Sequence, residues 1–403
     1  MRAGVTGFQP QRLTQAREAR GLTKVALAAM VERSSPTLTK WENGDSLPEA
    51  DSLERLSKAL NCPETWFLAA TPNYGVSPYF FRSNATATKE ARCVAKVRMQ
   101  WLQDVSVRLQ EFIDWPEVNV PHLRAEDFNT ITDGTIEELA LQCRQVWGLG
   151  LGPISDMLLA LENAGVVCCR EEIGYSQMDG LSHWCEVDGR PYVYLAADKA
   201  NFFRSRFDAA HELGHLVLHR YLKETEFNKR YKEIEAQAHL FAGAFLLPAE
   251  SFSLEISSWP TLDTFLALKK RWKVSVAAMI VRSKQLGIIS DEYSTRLWKN
   301  YSGRGWRRGE PLDADTLVES SRLLPRAVEM IVGNKVLTKV ALRDYLGLAS
   351  ADLELLCNLT PDYFKPEAAQ QLMPITLKAG ARVGTQVGGA YSAQVLSFQK
   401  REK

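Results

Sequence analysis

Over residues 1–70, apolar positions recur with helical spacing and are broken at short intervals by turn residues. Residues 11–20 form one such run, stopped by Gly21, and Thr23 caps a second that reaches about Met30. Ser35 and Pro36 stand as cap and first helical residue of a third, which ends at Asn43 and Gly44, a pair suited to a left-handed stop. Residues 48–60 set Leu53, Leu56 and Leu60 on one side, and residues 63–68 close the group around Trp66 and Phe67. Short helices, tight turns and a shared leucine set predict an all-α bundle of the helix-turn-helix kind.

Residues 71–85, rich in Pro, Gly and polar side chains, read as a linker that docks through its aromatics. A long helix follows over residues 88–115; its Arg92, Lys96, Arg98 and Arg108 are expected to form a solvated basic face, with contact to DNA backbone or a partner as the other reading. Two helices fill residues 135–164, split by the Gly-rich stretch 148–153. Residues 166–170, 180–187 and 191–195 alternate as three short strands, two of them joined at Asp188-Gly189. After the strands, helical spacing covers residues 206–219, 234–247, 261–272 and 275–286. Residues 297–309, basic and aromatic with Gly at intervals, read as a linker, or as a surface that grips phosphates and stacks bases. Residues 339–356 read helix, Gly turn, helix, either a second helix-turn-helix or a small interaction module. The tail beyond Gly380 reads as mobile or as a short hairpin.

At 403 residues the chain exceeds one ordinary core. The expected division is 1–70, a DNA-binding bundle; 71–134, linker and basic connecting helix; 135–295, an α+β domain with a small sheet; and 296–403, basic linker and a small, mainly helical domain. A net charge of +1 announces no nucleic-acid binder through its global field, so DNA contact must come from a local patch. There is no apolar run of membrane-spanning length and no signal-peptide pattern, and the seven Cys contain no C-x-x-C pair. A cytoplasmic protein with reduced, packed thiols is the expectation; a redox or metal-sensing group of Cys168, Cys169 and Cys185 is the sharper alternative.

The chemistry concentrates in Arg206-Phe-Asp-Ala-Ala-His-Glu-Leu-Gly-His215. His211 and His215 are four apart, so on a helix both imidazoles leave one face and can share a divalent ion, with Glu212 beside them as a base toward water activated by that ion. Gly214 inside the helix costs about 1 kcal/mol relative to Ala, so close packing should demand it. A third protein ligand is needed, and hydrolytic zinc sites often take a downstream carboxylate; Glu235 is the best candidate and Glu233 the rival. An edge strand near such an ion can pair with an extended substrate, although the sequence does not assign which strand. His183 is a candidate for stabilising an oxyanion or for a structural role, and His219 and His122 carry the same ambiguity.

Arg206-Phe-Asp-Ala-Ala-His-Glu-Leu-Gly-His215, followed by Glu235-Ala-Gln-Ala-His-Leu-Phe-Ala-Gly-Ala-Phe-Leu-Leu-Pro248, resembles the ImmA/IrrE family of metallopeptidases. The resemblance implies a zincin-like fold, His211, His215 and Glu235 as ligands, Glu212 as base, and zinc as the ion, with manganese the alternative. His239 stands where the family usually has Asn. Residues 20–28 with Ser35-Pro-Thr-Leu-Thr-Lys-Trp-Glu-Asn-Gly44 resemble the phage-repressor, or XRE-type, helix-turn-helix. That implies a third helix in the major groove, with Ser34, Ser35, Thr37 and Lys40 as contacts and Lys24 at the start of the second helix. Together they imply a homodimer on a double-stranded DNA operator and a protein substrate, a repressor cleaved in a stress or mobile-element response. The alternative is a one-component regulator or antitoxin whose peptidase-like domain senses metal, ligand or partner without proteolysis.

Overall fold

The computed structural model describes residues 4–75, 77–83, 88–124, 128, 130–175, 178–198 and 201–365; the Gly-rich tail lies outside the described residues. Local capping sets the N-terminal bundle of α1 (Pro10–Ala19), α2 (Lys24–Met30), α3 (Ser35–Asn43) and α4 (Ala50–Leu60). Thr23 Oγ1 accepts from the Ala26 amide at 3.1 Å, and Gly44 ends α3 at φ +80°. The cap of α3 is Ser34, not Ser35, its Oγ accepting from the Thr37 amide at 3.3 Å. Pro36 therefore sits at the second helical position, where a missing N–H still costs no intrahelical bond.

Among the described residues four strands follow in the order of the chain: β1 (Phe80–Ser83), β2 (Val167–Glu171), β3 (Met178–Trp184) and β4 (Pro191–Ala196). They form one sheet ordered β1-β3-β4-β2, with β3 antiparallel to both neighbours and β2 parallel to β4. The stretch expected to be only a docking linker thus supplies an edge strand. Between β1 and β2 come α5 (Lys89–Leu109), α6 (Asp133–Val146) and α7 (Met157–Asn163). After the sheet come α8 (Phe202–Leu218), α9 (Glu224–Leu246), α10 (Ala249–Leu254), α11 (Leu262–Trp272), α12 (Val276–Gln285), α13 (Asp291–Gly303), α14 (Leu323–Gly333), α15 (Lys339–Leu346) and α16 (Ser350–Leu356).

Strand alternation distributes side chains between two cores. Val193 and Leu195 of β4 and Trp184 of β3 enter the core built with α6 to α9 and α11 to α13. Tyr192, Tyr194, Leu181 and Cys185 enter the opposite one, which runs from the helix-turn-helix bundle through α5 to α14, α15 and α16. The expected order of helical, α+β and helical regions holds, while the first and last regions share a core behind the sheet. Cys168 and Cys169 fall on opposite faces, so these two neighbours pack in different cores and cannot act as one group. No helix among the described residues is long and apolar enough to cross a membrane.

Two sequence expectations need correction. The basic residues of α5 divide: Arg92 and Lys96 are exposed, as a solvated face requires, and Arg98 is not. Arg98 is buried, its Nε 3.1 Å from Glu171 of β2 and its Nη1 2.6 Å from Asp352 of α16, and Asp352 also receives Arg20 of the bundle at 2.6 Å. Nor are residues 297–309 a linker: α13 runs through Gly303, and Tyr301 and Trp306 are buried in the core built around α8 and α9, because their aromatic bulk at helical and turn spacing outweighs the local Gly and Arg content.

Asp352 joins three parts of the chain. Burial alone would raise its carboxyl, but Arg20 and Arg98 hold it below its ordinary value. Its contribution is therefore complete above the unfolded carboxylate range near about pH 4 and is lost as pH falls through the depressed folded value. Asp352→Ala, which leaves the buried Arg98 with half its neutralising charge, is expected to lower stability by about 3–5 kcal/mol in urea unfolding followed by circular dichroism.

Candidate metal centre

Helix α8 is buried along nearly its whole length because it is packed between the sheet and α9. Asn201 caps it, its Oδ1 accepting from the Arg204 amide at 3.0 Å. The mid-helix glycine has a spatial cause. A Cβ at Gly214 would lie 3.1 Å from both Cα and O of Ala238 and 3.2 Å from Cβ of Phe241, so the backbones of α8 and α9 meet closely there. Ala238 lies three residues beyond Glu235, and the approach carries the Glu235 carboxylate to the imidazoles of α8.

The Nε2 atoms of His211 and His215 are 3.1 Å apart. Glu235 Oε2 lies 3.4 Å from the first and Oε1 lies 3.3 Å from the second. Four-coordinate ions with bonds of about 2.0–2.1 Å separate their ligand atoms by about 3.3 Å, so these spacings fit one small divalent cation. Burial would raise the Glu235 carboxyl, yet the two imidazoles beside it hold it well below the usual carboxylate range. Glu233, the rival carboxylate, is turned to the surface and paired with Arg230 at 2.5 Å.

A chain of hydrogen bonds fixes which nitrogen of His215 carries its proton. Gln237 Nε2 donates to Glu233 Oε1 at 3.4 Å, and this turns the amide Oε1 of Gln237 toward His219 Nε2, 2.9 Å away. The amide oxygen accepts, so His219 is protonated on Nε2 and its Nδ1 is an acceptor. His215 Nδ1, 3.1 Å from that atom, donates, so when His215 is neutral its Nε2 carries the lone pair that a metal ligand needs. Burial and the neighbouring His215 push His219 down to about 3, which keeps it neutral in this role.

Glu212 is buried against β3, accepting from Ser182 Oγ at 2.6 Å through Oε2. A Cβ at Gly180 would stand 2.8 Å from Glu212 Oε1, so the bare backbone there makes room for the carboxylate. His183 is placed elsewhere. It points to the α5 side of the sheet, stacked on Tyr79 at 4.0 Å and 2.8 Å from Gln103 Nε2, and burial lowers it to about 4. Its role is packing. His122 sits at the periphery beside Arg220 and Tyr221. His239 is outside the three-residue cluster but near it, its ring centroid 5.8 Å from that of His211, and it lines a cavity of about 320 Å³ with Arg204, Phe207, Asp208 and Trp298.

On the bundle, Lys40 and Ser34 are exposed and Ser35 and Thr37 partly so, all on or at the start of α3. Lys24 is 3.1 Å from Glu42, which also takes Arg17 at 2.6 Å, so its ammonium is partly neutralised within the bundle. Sequence reading missed Phe80, Gly180, Ser182 and Gln237. The β2 to β4 alternation could have suggested Ser182, but the others act only through tertiary neighbours.

Two family models match the chain in succession: helix-turn-helix over residues 13–67, and a peptidase model described as IrrE N-terminal-like domain over residues 161–284. The chain therefore joins a DNA-binding helix-turn-helix domain to a metallopeptidase-like domain. No curated protein matches it. Gly214→Val, which drives two methyl groups into Ala238 and Phe241, is expected to destabilise the protein by about 1–3 kcal/mol, read as a lowered thermal midpoint.

Proposed function

We propose that this chain is a cytoplasmic, DNA-binding transcriptional regulator whose second domain is a metal-dependent endopeptidase acting on a regulatory protein, a repressor being the expected substrate. The observation that carries this is the convergence of two imidazole nitrogens and a carboxylate at 3.1–3.4 Å, with Glu212 held next to them by Ser182. His211, His215 and Glu235 would hold the ion; zinc suits two imidazoles and a carboxylate at these spacings, and manganese is the alternative. When bound, the ion supplies Lewis-acid activation of the peptide carbonyl and of water. Glu212 takes the proton of the attacking water and returns it to the leaving amine. Ser182 orients that carboxylate, and the bond from Gln237 through His219 orients His215.

Operator contact is assigned to Ser34, Ser35, Thr37 and Lys40 of α3, with Lys24 toward the phosphate once its pairing to Glu42 loosens. A homodimer on two half-sites is the accompanying expectation. A sensor that cleaves nothing is the second reading, favoured by the near-complete burial of His211 and His215.

Metal analysis of the purified protein is expected to find one ion per chain, and His211→Ala to retain less than a tenth of it. Glu212→Gln is expected to keep metal and operator binding while slowing cleavage of a co-expressed repressor by about 10²-fold or more. Normal promoter regulation by Glu212→Gln in cells would instead establish the sensor reading.

A further inference from the structure

Within the span matched by the peptidase model, residues 161–284, the sheet consists of β3, β4 and β2 in that order, and β3 has an open long edge. In the whole chain this edge is taken. β1, drawn from the segment between the helix-turn-helix bundle and α5, lies antiparallel along it, with Phe80 opposite Ser182, Phe81 opposite Leu181 and Arg82 opposite Gly180. β3 is also the strand that touches Glu212, through Gly180 and Ser182. A peptide paired to this edge therefore runs past the two imidazoles, and β1 occupies that track.

The side chains of this segment separate by face. Tyr79 and Phe81 pack toward α5, whereas Phe80 points to α8 and is fully buried. Its ring stacks on His215 at 4.9 Å with planes 7° apart and meets Phe227 edge-on at 5.4 Å. Leu222, Phe227 and Ile234 complete an apolar pocket around it. A pocket bounded on one side by the centre's own histidine and filled by an aromatic residue of an extended strand has the form of a side-chain subsite. The occupying strand is short, and its register slips between Arg82 and Ser83, which limits the pairing that holds it.

We propose that the β3 edge is the substrate track, that the substrate is an extended segment presenting a large aromatic or aliphatic residue to the Phe80 pocket, and that β1 is the chain's own occupant of both. The proposal rests on the peptidase reading and adds its substrate class. Pairing by main chain gives purchase on any unfolded segment, and the pocket selects among them. Cleavage then requires β1 to leave, and because β1 follows directly from the helix-turn-helix bundle, events at the bundle are placed to control access.

The test uses the full metal-loaded chain and a fluorescein-labelled heptapeptide Ser-Pro-Tyr-Phe-Phe-Arg-Ser, the sequence of residues 77–83. Phe81→Pro, which removes a strand N–H, is expected to bind this peptide at least tenfold more tightly than the wild-type chain in fluorescence anisotropy. A twin peptide with Ala at the Phe80 position should lose at least tenfold in affinity. Bound peptide should also slow hydrogen exchange of residues 178–184. Metal content and exchange protection of α8 report that the variant is folded. As a second variant, Phe81→Cys with Leu181→Cys links the two facing positions; the oxidised form should exclude the peptide and reduction should restore its binding. Equal affinity of the wild type and folded Phe81→Pro, indifference to the Ala twin, or binding unaffected by the cysteine link overturns the proposal. None of these readouts passes through Glu212. Peptide binding without Glu212-dependent cleavage would sink the peptidase reading alone, and cleavage of a repressor without peptide binding on this edge would sink the track alone.

Discussion

The close crossing of α8 and α9 is the constraint on which the centre depends. Neither helix holds a complete donor set: α8 has two nitrogens on one face and α9 has a carboxylate. They meet only because Gly214 has no side chain and Ala238 has a small one, which brings the two backbones nearly into contact. Helix propensity at Gly214 is given up for that distance. The same economy recurs at Gly180, where a bare strand position accepts Glu212, so small residues on α8 and β3 fix both the three-residue cluster and the carboxylate beside it.

Around this crossing the chain is organised by the two faces of one sheet. One face supports α8 and the centre. The other supports α5, which ties the helix-turn-helix bundle to the sheet and the C-terminal helices through Arg20, Asp352, Arg98 and Glu171. Buried ion pairs of this kind add little net stability but are costly to break singly, so they define how the parts are joined more than how strongly. A second link, Arg12 to Asp104 at 2.7 Å with Tyr74 on the same carboxylate, anchors α1 to α5. The helix-turn-helix bundle and the sheet that positions Glu212 are thereby attached to one helix.

How much of this was legible follows from the range of each interaction. The spacing of His211 and His215 is local, as are the caps at Thr23 and Gly44, and both could be read directly from periodicity. Glu235 could be nominated only because a second helical pattern with a carboxylate followed at a suitable interval and because a family resemblance singled it out. Arg98 was misread because its partners lie 73 and 254 residues away, and a charge on a helix with distant partners looks like a charge in solvent. β1 was missed for another reason: four residues beside Pro and Gly carry too little alternation to signal a strand, and its edge position is decided by β3. Residues 297–309 were misjudged because Gly and Arg content was weighed above the burial of Tyr301 and Trp306.

Helix α9 departs from helical geometry at Arg230, where φ is −108° and ψ is 19°. The break divides the helix by task. Its later part bears Glu235 and is clamped by the Gly214 contact; its earlier part bears Phe227, which closes over the aromatic ring seated on His215. A rigid rod would transmit any tilt of that cover to the carboxylate. With the break at Arg230, the angle of that cover and the spacing of the Glu235 carboxylate are set by separate contacts, one at Phe80 and one at Gly214.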